Sequence, residues 1–187
     1  MRSILPLFAA ALAASAPVLA TELVNVPDFR GVELRGGGVV TVVPGSTQRV
    51  TIEEGSSQFT RMHVTADGKL RIDTCNEQCP QHYRLQVVIQ SPRAPDLAVS
   101  GGGLITTAGG FGAQSQLSAA VNGGGKIDAR SIDAVNVSAA VNGGGELLVR
   151  PRASLSAAVN GGGHVRYWGN PNVSMAVRGG GAVSPGS

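Results

Sequence analysis

The hexapeptide AVNGGG occurs three times in this 187-residue chain, at residues 120–125, 140–145 and 158–163. Two close variants flank these copies, AVSGGG at 98–103 and AVRGGG at 176–181. The first glycines of successive copies are 22, 20, 18 and 18 residues apart. A unit of this length is too short for a helix pair or a propeller blade, and it fits one coil of a β-solenoid.

Within each repeat, apolar side chains alternate with small or polar ones, which is the period-two pattern of a β-strand. The alternation predicts columns of inward residues that stack as apolar ladders. These columns are Val99, Val121, Val141, Val159 and Val177; Leu97, Ala119, Ala139, Ala157 and Met175; and Leu117, Val137, Leu155 and Val173. After the glycines, the inward register resumes at Ile105, Ile127, Leu147, Val165 and Val183. The serine and alanine columns between them are predicted to face outward and to form a flat Ser/Ala face.

The glycine triplet predicts a corner that recurs in every coil, because glycine adopts positive φ without penalty and lets stacked backbones approach closely. The asparagine before it, at 122, 142 and 160, is expected to hydrogen-bond in a column with its copies. The alternative is a phosphate-binding loop. Neither a Lys-Ser/Thr pair nor a helical pattern follows any triplet, so the corner is favoured.

The composition supports an all-β chain and excludes several classes. Glycine supplies 27 residues but not every third one, which excludes collagen. A hydrophobic content of 42% with a formal charge of only +3 argues against disorder, and the absence of a Lys/Arg cluster argues against a nucleic-acid partner.

Residues 1–20 are interpreted as a cleavable secretory signal. Arg2 precedes an uncharged apolar run, and Val18-Leu19-Ala20 offers a cleavage site for a signal peptidase. The alternative, a membrane anchor, needs a longer run without its two prolines. We therefore expect a mature chain without a transmembrane segment, in the periplasm, at the cell surface or secreted.

The mature chain divides into an irregular β part at residues 21–95 and regular coils at residues 96–187, expected to form one structural unit. Short strands are predicted at residues 39–43, 48–52, 62–65, 70–73 and 85–89, with an Asp-Gly turn at 67–68. Two interpretations stay open for this part, namely wider solenoid coils or a β cap built from hairpins.

These features resemble the GIN-type head domain of putative auto-transporter adhesins. The family shares export, glycine-rich corners about every 20 residues, an early strand-rich part and a Val-Ser-Gly-Gly-Gly opening, found here at 99–103. The resemblance spans residues 26–183 and implies a right-handed parallel β-helix. It transfers architecture better than function, and it supplies no catalytic residue or cofactor.

Cys75 and Cys79 are the only cysteines, and in an exported protein such a pair is first interpreted as a disulfide. Free thiols are a second possibility. The third is a soft metal site that adds His63 and His82 to the two thiolates. The disulfide is favoured, and no metal or cofactor is expected.

Catalysis is not expected. The carboxylates Asp128, Asp133 and Glu146 fall at different points of their repeats, so they would not stack into the cluster that polysaccharide-cleaving β-helices use. A Ser-His-Asp triad could be drawn with His164, but many serines here belong to the repeat.

Candidate binding residues lie near the carboxyl end of the stack. They are His164, Arg166, Tyr167, Trp168 and Arg178. An exposed indole beside arginines often marks a carbohydrate or protein contact, whereas the alternative is that Trp168 covers the open end of the core. The sequence favours an exported, non-enzymatic, adhesin-like binding module. A structural envelope component that forms homo-oligomers through its flat Ser/Ala face comes second, and a polysaccharide-acting enzyme is least favoured.

Overall fold

A computed structural model describes residues 21–75 and 78–186. The proposed signal segment, residues 1–20, lies outside the described residues. Fifteen strands join in one sheet, and no helix occurs in the described part of the chain. The all-β prediction is confirmed. Accordingly, residues 21–75 and 78–186 contain no helix of the length and hydropathy that a membrane span requires.

The strand bounds follow the chain in order. They are β1 (Glu22–Val24), β2 (Gly31–Gly36), β3 (Val39–Pro44), β4 (Arg49–Glu54), β5 (Arg61–Val64), β6 (Lys69–Asp73), β7 (Gln86–Ser91), β8 (Asp96–Gly101), β9 (Leu104–Thr107), β10 (Gln114–Gly123), β11 (Lys126–Gly143), β12 (Glu146–Asn160), β13 (His164–Tyr167), β14 (Asn172–Arg178) and β15 (Ala182–Pro185).

The repeats stack in parallel as two ladders, with a glycine corner between them. The first ladder contains β8, β10, the second halves of β11 and β12, and β14. The second ladder contains β9, the first halves of β11 and β12, β13 and β15. The AVNGGG copies align residue on residue, so that Val121 lies opposite Val141 and Val141 opposite Val159. An irregularity between Ala129 and Asn136 marks where β11 passes from the second ladder to the first.

The predicted inward columns form the core. Val99, Val121, Val141 and Val159 are completely buried, as are Ile105, Ile127, Leu147 and Val165 beyond the glycines. The last coil differs. Val177 keeps the predicted register opposite Val159, yet it is 41% exposed, because among the described strands β14 pairs only with β12.

The three glycines of a corner have different roles, as the corner at 143–145 shows. Gly143 has φ +119°, and a Cβ added there would lie 2.6 Å from the Gly123 carbonyl oxygen. A Cβ at Gly145 would lie 2.5 Å from the carbonyl oxygen of Gly125, whereas at Gly144 it would meet nothing within 4 Å. The first glycine therefore supplies the backbone conformation, the third permits the close approach, and the middle one has open space.

The asparagines before the corners form the predicted column. The Asn142 side-chain amide donates to Asn122 Oδ1 at 3.0 Å, and the Asn160 amide donates to Asn142 Oδ1 at 3.0 Å. Each amide thereby ties one coil to the next along the edge of the corner.

Residues 21–95 contain both parallel and antiparallel strand pairs. β2 and β3 extend the two ladders in parallel from β8 and β9, and β6 and β7 extend them by one further coil. Antiparallel strands then end each ladder: β5 pairs with β6, β4 with β7, and β1 with β4. The predicted Asp-Gly turn joins β5 to β6, with Gly68 at φ 74°. The spatial order β6-β2-β8 differs from the chain order.

Candidate functional site

Trp168 lies directly after β13 on the outer side of the second ladder. Its backbone N–H donates to the Val149 carbonyl at 3.0 Å, which continues the ladder one residue beyond β13. The indole is half-buried, and the guanidinium carbon of Arg130 lies 4.9 Å from its ring centroid. This separation is within the range of a cation–π interaction. Gly186 lies against the ring, where a Cβ would overlap the indole.

A carboxylate fixes the arginine that stacks on this ring. Arg130 Nε donates to Asp128 Oδ1 at 2.8 Å, and Arg130 Nη2 donates to Asp128 Oδ2 at 2.6 Å. This fork restricts the guanidinium to one plane. The hydrogen bond from Arg130 lowers the pKa of Asp128 below its usual value, although burial opposes the effect. Asp128 is therefore ionised at neutral pH.

These side chains form a shallow pocket of about 440 Å³, which we call the Trp168 shelf. Its lining consists of Thr106, Thr107, Asp128, Arg130, Ser131, Arg150 and Trp168. Hydroxyl groups border it, since the Thr107 and Ser131 oxygens are 2.6 Å apart and Ser131 Oγ donates to the Thr107 carbonyl at 2.5 Å. Arg150 adds a second guanidinium, whose Nε lies 3.8 Å from Asp133 Oδ1 in an exposed ion pair. The shelf thus combines an aromatic surface with donors and acceptors.

The other candidate binding residues lie in three different surroundings. His164 and Arg166 point outward from β13, where Arg166 Nε lies 3.6 Å from Glu146 Oε1. Tyr167 is half-buried and packs against the core. Arg178 lies in the first ladder, in register with Asn160. Of the five candidates, Trp168 is the one that lines the shelf.

Arg130 and Arg150 were not selected from the sequence, although the repeat contains a signal for them. Ala129, Val149 and Tyr167 lie opposite one another in the second ladder. The residues that follow them are Arg130, Arg150 and Trp168, so three of the shelf residues occupy equivalent sequence positions in successive repeats. Aligning the repeats beyond the glycines, rather than before them, would have grouped these residues.

The predicted disulfide between Cys75 and Cys79 is present, with the two Cα atoms 5.8 Å apart. Both cysteines take part in this bond. His63 on β5 and His82 in the loop between β6 and β7 are exposed. Within residues 21–75 and 78–186, no three His, Cys, Asp or Glu side chains are grouped as metal ligands.

The three carboxylates that the sequence placed at different points of the repeats each face a cation rather than one another. Asp128 binds Arg130, Asp133 lies near Arg150, and Glu146 Oε2 lies 2.7 Å from Lys126 Nζ. As expected from their positions in the repeats, they do not stack: in the ladder, Asp128 is opposite Leu148 and Glu146 is opposite Lys126.

The family described as "putative auto-transporter adhesin, head GIN domain" matches residues 96–171. The predicted resemblance to the GIN head domain is confirmed over this segment. The GIN match contains the glycine corners from 101 to 163 and every residue of the Trp168 shelf.

Crystal structures of two proteins named as putative adhesins are similar to this chain. The protein from Bacteroides fragilis has a TM-score of 0.57 and 17% identity, over 91% of this chain and 98% of its own. A second, from Parabacteroides distasonis, has a TM-score of 0.45 and 18% identity, over 89% and 96%. The first match shows a shared fold. Among curated proteins, no sequence matches this chain.

Proposed function

We propose that this chain is an exported, non-enzymatic binding module of the cell envelope or surface, which contacts carbohydrate at the Trp168 shelf. The family match to adhesin head domains supports a binding role. The observation on which the proposal rests is the stacking of Trp168 on an arginine that Asp128 already fixes. The exposed part of the indole, outside the area that Arg130 and Gly186 cover, offers an apolar contact to the C–H groups of a sugar ring. Carboxylate and guanidinium groups at its edge can bond sugar hydroxyls.

The fold proposed with this function is a right-handed parallel β-helix in which residues 21–95 and 96–187 form one unit. Its support is the continuous parallel pairing of β2 with β8 and of β3 with β9 across the boundary between the two parts. Buried residues from Phe29 to Val165 also belong to a single hydrophobic cluster. Export is supported by the signal-like pattern of residues 1–20.

We propose that the chain has no catalytic activity because of the ionisation and pairing of its carboxylates. A glycosidase needs two carboxyl groups flanking one bond, with a proton available on one of them. Here Asp128 has a lowered pKa and a bidentate arginine partner, so it is poorly suited to donate a proton at neutral pH.

Self-association through the Ser/Ala face is the second candidate. This face includes a shallow groove of about 420 Å³, lined mainly by the serine and alanine columns of β8, β10, β11 and β12. Small side chains allow two such faces to approach closely. This candidate predicts a homo-oligomer that a lysine at Ser138 would disrupt.

The test uses the only tryptophan of the sequence as its probe. We expect glycans selected in a binding screen of the mature chain to change its fluorescence in a saturable manner. Trp168→Ala and Arg130→Ala should weaken that binding at least about tenfold, because each removes one side of the stacked pair. Titration calorimetry measures the affinities of the variants, since Trp168→Ala removes the fluorescent probe. The matched control is His164→Ala, an exposed residue of the same ladder outside the shelf. Binding that survives Trp168→Ala, or no glycan binding at all, would contradict the proposal.

A further inference from the structure

The stack is open at its last coil. Every residue of β14 is exposed, and within residues 21–75 and 78–186 β14 and β15 each pair on one side only, with β12 and β13. The core-facing positions Val173, Met175 and Val177 are 36%, 62% and 41% exposed. Their register partners one coil earlier, Leu155, Ala157 and Val159, are at most 4% exposed. The interior column therefore reaches the surface here.

The first coils end differently. Their ladders finish in antiparallel strands, with β5 on β6 and β1 on β4. Met62 and Val64 of β5 are half-buried against the core, and Arg61 and His63 alternate with them on the outside. Charged side chains on an edge strand discourage pairing with another chain. β14 has no charged residue before Arg178, so its edge lacks this protection.

We propose that the open coil binds a second copy of this chain, by antiparallel pairing of β14 with β14 about a two-fold axis at Met175. In this register Val173 lies opposite Val177 of the second copy, and Met175 lies opposite Met175. The exposed apolar row thus maps onto itself, as a two-fold interface requires. The unpaired backbone groups of both edges are satisfied at the same time.

The charge distribution selects this arrangement over two others. In a parallel, in-register pair, Arg178 would stack on Arg178, and like charges directly opposite are destabilising. In the two-fold pair each Arg178 lies opposite Asn172, and the two guanidinium groups are at opposite ends. Head-to-tail stacking would place Arg178 on an end that already holds Arg61 and His63. It would also generate a filament rather than a closed dimer.

The first test is sedimentation equilibrium of the mature chain across a wide range of concentration. We expect a monomer–dimer equilibrium. Met175→Lys should weaken dimerisation at least about tenfold, because it places two like charges at the axis. The side chain at 175 is already mostly exposed, so far-UV circular dichroism of this variant should stay native. Ser174→Lys and Ser138→Lys are controls that add the same charge to the Ser/Ala face. A monomer at all concentrations, or dimers disrupted by Ser138→Lys and not by Met175→Lys, would overturn the proposal.

The second test locates the axis. Directly opposite residues of antiparallel strands have Cα atoms about 4.5–5.5 Å apart, within disulfide range. Met175→Cys should therefore form a covalent dimer on oxidation, seen on a non-reducing gel. Ser174→Cys should not, because its copies are diagonal neighbours about 7–8 Å apart. Equal cross-linking of both variants, or filaments in place of dimers, would contradict the two-fold register. Neither test depends on ligand binding at Trp168.

Discussion

At the scale of single residues, the first glycine of a corner is required for its backbone conformation, whereas the middle glycine has open space around it. We predict that Gly143→Ala destabilises the fold by about 2 kcal/mol or more, because alanine must adopt φ near +119° and its Cβ would meet the Gly123 carbonyl oxygen. Gly144→Ala should stay within about 0.5 kcal/mol of the native chain, since nothing lies near its Cβ. Denaturant midpoints measure both, and equal losses would mean that the corner is wrongly described.

The Asp128–Arg130 pair predicts a pH dependence. The pKa of Asp128 is lower in the folded chain than in the unfolded one, chiefly through its hydrogen bond from Arg130. The pair therefore stabilises the folded state above the unfolded pKa near 3.9, and this contribution is lost as the pH falls through the folded value. Fluorescence of Trp168 should be constant above about pH 4 and change below it.

Asp128→Asn provides the matched comparison for this titration. It should show the acid-like emission already at neutral pH and lose the transition. Asp67→Asn makes the same chemical change in the distant β5–β6 turn, where Asp67 pairs with Lys69, and should leave the tryptophan signal unchanged. If Asp128→Asn keeps the acid transition unaltered, the ionisation of Asp128 does not determine the fluorescence of Trp168.

The residues before the glycine corners were easier to predict than the residues after them. The valine and asparagine columns were predictable because the hexapeptides before the corners are nearly identical. Arg130, Arg150 and Trp168 each lie five residues after the last glycine of a corner, so counting forward from the glycines would group them. Their side chains differ, and for that reason the pattern of residue types does not mark them as the valine and asparagine columns are marked.

At the scale of the strand, the alternation in β11 can be tested at two adjacent positions. Val141 is completely buried, whereas Ala140 is half-buried on the Ser/Ala face. Val141→Asp places a carboxyl group without partners in an apolar column and should cost several kcal/mol. Ala140→Asp should cost about 1 kcal/mol or less, mainly through strand preference. Similar denaturant midpoints for the two variants would contradict the inward register.

Strand pairing was predictable where the sequence is periodic and not elsewhere. The regular coils repeat their corners, so each strand predicts its neighbour. In residues 21–95 the strands themselves were recognisable, but β2 lies between β6 and β8, which follow it much later in the chain. No local pattern records such a crossover, since the pairing joins strands that lie far apart in the chain.

At the scale of the whole molecule, the proposed β-helix makes the two ladders a quasi-one-dimensional stack, with the Trp168 shelf on its side and an exposed edge at β14. The stability of such stacks is approximately a sum over coils and their interfaces with neighbouring coils. We therefore expect that contacts between neighbouring coils, rather than any long-range contact between the two ends, determine whether the chain folds.

The most direct test is to remove one coil. Deleting residues 143–160 joins Asn142 to Gly161 and preserves the corner, so that β13 and β14 can pair with β11 in the register that β12 had. Deleting residues 143–151 removes half a coil and breaks both ladders. Far-UV circular dichroism with denaturant unfolding should show a native β spectrum and a cooperative transition at a lower midpoint for the first variant, and an unfolded chain for the second. If removing the whole coil unfolds the chain as completely as removing half of it, the stacked-coil account is wrong.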